Sequence, residues 1–349
     1  MHKTQLTSMK RIILAILCFF LVQGVMAQVK PDFFPEDVSQ EGVEVRCFCT
    51  PGVRNKSRAK GINLSYQFIG GGTFTEEDNT LAAPYTDYDR WEQWEFDIKA
   101  PVWNKEHLKI LLGYKYAFEV FHIGRLGADF PETFGALDQA SLKSSSLSAI
   151  VTKPLNEEHY LAFRLRYTAN GNYSGLMDFD GRFAVYKGLA VFGLKPTEDF
   201  EWGFGLNVSK SFRRTSILPF LLYNRNFNTH WGIESAFPGY VYGRYNVGPR
   251  SILLFGAEYG SDSYRLGVTL PNDELLDYAL NHSEVLCMVR FEQQIAPWVW
   301  GNLKLGYQMN FSTNFESKSL NTPGFNVEPT NAFFVHVGLF LSPPDSLME

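Results

Sequence analysis

The chain has 349 residues, 45% hydrophobic and 20% charged, with a formal net charge of −5. That near-neutral balance, with no basic block, speaks against nucleic acid as a partner. The excess lies in 30 Phe, 17 Tyr, 7 Trp and 29 Gly, which β-rich chains place on half-buried surfaces and at tight corners.

Lys10 and Arg11 precede the uncharged apolar run Ile12 to Val22, and Val25-Met26-Ala27 puts small residues at cleavage positions. The pattern predicts an export signal over residues 1–27, with Met9 as an alternative initiator and Gln28 as the first mature residue. Its apolar run is about 11 residues, short of the ~20 that a spanning helix needs. Cys18 lies behind Leu17, where a lipid-anchoring signal needs a small residue. Residues 28–59 form a leader, of which 43–50 could be one extra strand. Cys47, Cys49 and Cys287 remain after processing, an odd number and no disulfide framework. Cys47-Phe48-Cys49 reads as β packing rather than a metal pair, having no nearby His.

From residue 60 to 342 apolar and polar or small residues alternate with period two, the mark of strands with two unlike faces. Leu108, Ile110, Leu112, Tyr114, Tyr116 and Phe118 oppose Lys109, Leu111, Gly113, Lys115 and Ala117. Leu303, Leu305, Tyr307, Met309 and Phe311 oppose Asn302, Lys304, Gly306, Gln308 and Asn310. The predicted strands are 60–71, 91–101, 107–119, 143–153, 159–169, 182–195, 200–211, 216–224, 229–247, 251–260, 264–270, 284–295, 299–311 and 332–342, and 343–349 is a tail. Many reach the ~9–11 residues that a bilayer-spanning strand needs. Trp91, Trp94, Trp202, Trp231, Trp298 and Trp300 fall near strand ends, as in an aromatic girdle. The gaps at 72–90, 120–142, 170–181, 271–283 and 312–331 are long and polar, whereas 102–106, 154–158, 196–199, 225–228 and 296–298 are short. Long loops on one end and short turns on the other are the habit of an outer-membrane barrel.

The fold expected is therefore all-β, a transmembrane antiparallel up-and-down β-barrel of about 14 strands, with 12 or 16 as alternatives. Closure follows from the solvent, because hydrocarbon offers no partner to the free N–H and C=O groups of a sheet edge. If Phe237-Pro238-Gly239 is a turn, 229–247 divides and the count and phase change.

The stretch Ile217-Leu218-Pro219-Phe220-Leu221-Leu222-Tyr223-Asn224, with Phe227-Asn228-Thr229-His230-Trp231-Gly232-Ile233-Glu234 and Phe237-Pro238, resembles a family of Bacteroidota outer-membrane barrels of unknown function. Tyr245, Ser251-Ile252-Leu253-Leu254-Phe255-Gly256-Ala257-Glu258-Tyr259 and Tyr264-Arg265-Leu266 continue the resemblance, clearest over 189–295. It implies the barrel and the outer membrane, and brings no catalytic residues. The ending Ser342-Pro343-Pro344 departs from the usual terminal Phe.

Inward faces are expected to carry Lys109, Lys115, Arg164, Arg166, Glu201, Arg265, Arg290, Glu292 and Lys304. Their cationic excess would favour passage of small polar or anionic solutes; the alternative is a self-paired, closed lumen in a surface-binding or structural barrel. A membrane-embedded hydrolase is a third reading. His107, His122, His159, His230, His282 and His336 carry no nucleophile or zinc motif, so no catalytic residue, metal or cofactor is assigned. Glu76, Glu77, Asp78, Asp87, Asp89 and Glu92 lack calcium-loop spacing. Tyr85, Tyr88, Trp91, Phe130 and Phe134 are outer-loop candidates for stacking on a glycan or partner protein. The other partners expected are outer-membrane lipid and, during biogenesis, the barrel-assembly machinery.

Overall fold

Strands with one apolar face satisfy their backbones only by pairing side by side. In a computed structural model, which describes residues 51–76, 86–127, 131–212, 214–270, 275–317 and 324–342, such pairing runs full circle. The elements are β1 (Ile62–Glu76), β2 (Thr86–Lys105), β3 (Leu108–Arg125), α1 (Pro131–Gln139), β4 (Leu142–Pro154), β5 (His159–Gly171), β6 (Ala184–Thr197) and β7 (Phe200–Ser211). There follow β8 (Arg214–Asn226), β9 (Trp231–Phe237), β10 (Tyr240–Gly248), β11 (Ser251–Thr269), β12 (Leu275–Ala296), β13 (Val299–Ser317), β14 (Phe325–Pro329) and β15 (Ala332–Leu341). Neighbours pair antiparallel up to β13, which pairs with β15, and β15 pairs with β1, so 14 strands close the ring. The short β14 wedges between the ends of β1 and β13.

Two predicted boundaries are corrected, and they cancel in the count. The stretch 229–247 divides into β9 and β10 at Pro238, which has no N–H for a ladder. The segments 251–260 and 264–270 are one strand, β11, because Ser261, Asp262 and Ser263 keep register with Ser283, His282 and Asn281 of β12. Ile62 of β1 faces Leu341 of β15, so both ends of the ring's chain lie at the short-turn end. The long-loop end holds α1 and the 172–183 connection, but also a tight turn at 238–239. The possible strand at 43–50 lies outside the described residues.

Outward positions make the barrel a membrane protein. Leu165, Phe204, Leu206, Ile217, Leu305 and Phe333 are each more than half exposed. A continuous apolar belt of that kind has hydrocarbon as its solvent. Trp94, Trp231 and Trp298 are exposed as a girdle requires, but Trp91 and Trp300 are buried inside the ring. Both share a strand face with lumen residues, Trp91 with Glu95 and Trp300 with Lys304, so they belong to the interior.

The wall is uneven. Strand β8 pairs with β9 only over Leu221–Asn226, and β10 with β11 only as far as Glu258. Above that level β11 and β12 run on together and reach across to β5, where Arg265 meets Gly171 in a parallel contact. Asn172 fastens this crossing, its amide donating to the Arg265 carbonyl at 3.2 Å and its side chain exchanging bonds of 3.0 and 2.8 Å with Gly267. Gly171 has φ +156°, and a Cβ there would stand 2.3 Å from the Arg265 oxygen, so glycine is required. Pro219 sits on the β8 edge that β9 leaves uncovered, where a missing N–H is one donor fewer to satisfy.

Candidate functional site

Ten residues ahead of β1, 51–60, occupy the short-turn mouth. The Gly52 amide donates to Glu201 at 2.8 Å, and the same carboxylate accepts from the Tyr160 hydroxyl at 2.6 Å and the Asn224 side chain at 2.7 Å. Tyr160 reaches it by lying over Gly193, where a Cβ would come within 2.1 Å of the ring. The Ser57 amide and hydroxyl donate to Glu234 at 2.9 and 2.5 Å, and Arg244 donates at 3.0 Å. Glu201 and Glu234 are each only 1% exposed. A carboxylate so far from water is costly unless hydrogen-bonded or paired, so both favour the segment in its seat.

The rim adds further ties. Arg54 pairs with Asp199, with Nε to Oδ1 at 2.6 Å, and its carbonyl accepts from the Asn226 side chain at 2.7 Å. The Arg54 guanidinium, and after it the Asn226 amide, hold the Asp199 carboxyl below the usual carboxylate range. Arg58 and Lys60 place their charges 5.3 Å over the Trp300 ring and 5.2 Å over the Phe340 ring.

Beyond this plug lies a cavity of about 200 Å³. Ser57 and Lys60 face it from below, and ion pairs fill its middle: Lys99–Asp97 at 2.6 Å, Lys115–Glu95 at 2.8 Å and Lys304–Glu258 at 2.9 Å. Arg290 stands 5.1 Å over the Tyr242 ring, with Glu292 3.3 Å from its Nε. In the outer half Glu119 accepts from the Tyr264 hydroxyl at 2.6 Å and from Gln93 at 3.1 Å. The His282 ring lies between Thr313 at 2.6 Å and Glu284 at 3.2 Å. Tyr88, Trp91, Phe121, Leu137 and Phe315 form an apolar roof. Phe134 of α1 packs there on Phe74 and Phe315, at ring separations of 5.3 and 6.0 Å.

Of the predicted lumen residues, Lys115, Arg164, Arg166, Arg290 and Lys304 line the cavity. Glu201 and Glu292 are buried in the interior, Glu201 beneath the plug. Lys109 stands on the inward-facing side of β3, below the cavity toward the short turns. Arg265 is a correction. Because β11 is continuous, period two puts Tyr264 in the lumen and Arg265 on the opposite face, where it pairs with Asp277 and donates to the Arg182 carbonyl at 2.9 Å. The expected cationic excess is also corrected. The described lining holds seven basic residues and seven acidic ones, with Glu95, Asp97, Glu119, Glu234, Glu258, Asp262 and Glu284 unread before. Their signal was present, since Glu95 and Asp97 alternate with Trp94, Phe96 and Ile98.

The outer-loop aromatics are corrected as well. Tyr88 and Trp91 lie on β2, where bulges around Asp87 to Arg90 turn both inward, and with Phe134 they are under 8% exposed. Tyr85 and Phe130 lie outside the described residues. Of the acidic stretch at 76–92, Asp87 pairs with Arg125 at 3.0 Å and Glu92 with Arg90 at 2.8 Å, while Glu77 and Asp78 lie outside the described residues.

These features define a transmembrane β-barrel with a plugged mouth and an internal polar cavity. Residues 134–342 match the family described as a domain of unknown function, DUF6268, and the chain belongs to that family. No curated protein matches it in sequence. Among solved structures it is similar to the COG4313 outer membrane channel of Pseudomonas putida F1, at 11% identity and TM-score 0.40, over 84% of this chain and 99% of that one. A FadL homologue of Pseudomonas aeruginosa is similar at 9% identity and TM-score 0.40, over 80% and 89%. The outer membrane protease OmpT from Escherichia coli matches at 10% identity and TM-score 0.28, over 82% and 99%. Likeness at this level is of barrel to barrel and assigns no activity.

Proposed function

We propose that the protein resides in a bacterial outer membrane, exported by the signal of residues 1–27 and inserted by the barrel-assembly machinery, and is a gated conduit for small polar solutes. The observation that carries this reading is the seat of residues 51–60: a short segment of the same chain fills the mouth through groups that water could replace. The evenly matched lining charges support polar solutes in general rather than anions.

The plug's own side chains supply the test. In planar bilayers the refolded full chain shows rare conductance steps, and the double variant Arg54→Ala with Ser57→Ala, which leaves the wall intact, shows frequent ones. A variant as silent as the wild type overturns the conduit. A barrel with a permanently closed lumen would then stand, the reading that the paired charges Lys99–Asp97 and Lys304–Glu258 favour.

A further inference from the structure

The two halves of the cavity differ in how their charges are matched. Toward the plug basic residues are paired, Lys304 with Glu258 at 2.9 Å and Arg290 with Glu292 at 3.3 Å. In the outer half Glu119, Asp262 and Glu284 line the wall, with His282 opposite Asp262 in the β11–β12 ladder and 3.2 Å from Glu284. Three carboxylates about one histidine leave negative charge to match, and a bound cation matches it. Two more observations bear on which cation. Among the described residues no group of three His, Cys, Asp or Glu is spaced to hold a metal ion. The Trp91 indole N–H, on a side chain 7% exposed, has no acceptor among the described residues. Its ring stands edge-on to His282 at 5.5 Å, and both line the same space.

We propose that this half-cavity binds an organic ammonium compound. Its charged nitrogen lies among Glu119, Asp262 and Glu284, its flat apolar body lies against Trp91, Tyr88 and Phe121, and an oxygen on that body accepts from the indole N–H. Charge-assisted hydrogen bonds supply the affinity for nitrogen, and aromatic faces suit both the cation and its body. The proposal rests on the conduit reading only in needing a solute to reach the lumen.

Tyramine is the probe and 4-ethylphenol, which lacks the amine, its control. Binding is measured by calorimetry on the detergent-solubilised full chain, both wild type and with the two plug anchors replaced. Tyramine binds saturably and 4-ethylphenol does not. Glu119→Gln and Glu284→Gln each weaken tyramine at least tenfold, and Trp91→Phe weakens it several-fold. Heat-modifiable migration on gels checks that each variant is folded; where one is not, the comparison of tyramine with 4-ethylphenol on the wild type decides. Absence of tyramine binding in both parent proteins overturns the site. So does equal binding of 4-ethylphenol, displacement by magnesium ions, or unchanged affinity in folded carboxamide variants. A plug-anchor variant that conducts but binds no tyramine removes the site and leaves the conduit. Tyramine bound by a barrel that never conducts removes the conduit and leaves the site.

Discussion

At the short-turn end the lumen is stopped by residues 51–60, held through hydrogen bonds and ion pairs to Glu201, Glu234, Asp199 and Asn226. At the long-loop end it is roofed by rings, Phe74, Trp91, Phe121, Phe134 and Phe315, packed on each other and on α1. The two seals answer to different forces. Each polar contact of the plug replaces one with water, so its net worth is about 1 kcal/mol, and pH and ionic strength act on it. The roof is held by burial and packing, which have no comparable chemical trigger. In the conduit proposed above, the plug is therefore the end expected to move.

The largest expected effect comes from Arg244→Ala. Arg244 is fully buried against Glu234, and its loss leaves that carboxylate short of a counter-charge, a cost of about 3–5 kcal/mol. Urea titration of heat-modifiable migration reads the stability, and bilayer recording shows a loosened plug. If conductance stays rare while stability falls, the plug is not seated through Glu234.

Phe134→Leu sharpens the contrast from the other side. It keeps an apolar filler but loses ring contacts to Phe74, Phe315 and Phe325, each about 0.5–1.5 kcal/mol. Conductance should match the wild type, and a rise would make the roof a second gate.

The smallest effect is one of acidity. Arg54 holds Asp199 below its ordinary range, so their pairing contributes fully above about pH 4 and fades as pH falls through the depressed value. Openings should become more frequent in that acid range, and Arg54→Ala should flatten the dependence. A pH profile identical in both proteins would remove the pair from the gate.

The barrel was legible because alternation with period two survives along most of each long strand, and a single shift would turn an apolar face into the lumen. The same periodicity held more than was drawn from it: Trp300 shares its phase with Asn302 and Lys304, so its interior position was readable. Ser261-Asp262-Ser263 misled because small polar residues usually mark a turn, whereas here they keep the ladder with β12 and Asn170 donates to the Ser263 carbonyl at 3.0 Å. The plug was out of reach. Residues 51–60 have no periodicity, and the partners of Gly52 and Ser57 lie 149 and 177 positions away. The outer half of the site was legible only as scattered carboxylates on β3, β11 and β12, which nothing but the ring brings together.

The plug also constrains how the molecule is made. Residues 51–60 run straight into β1, whose neighbour Gly61 donates to Leu341 of β15, the last strand of the ring. Their anchors Glu201, Asn226, Glu234 and Arg244 belong to β7 through β10, emplaced only midway through the chain. The earliest part of this stretch is seated on residues synthesised long after it, whereas its last residue, Lys60, lies over Phe340 beside the join of β1 and β15. The stopper can therefore be fully seated only once the wall as far as β10 is in place.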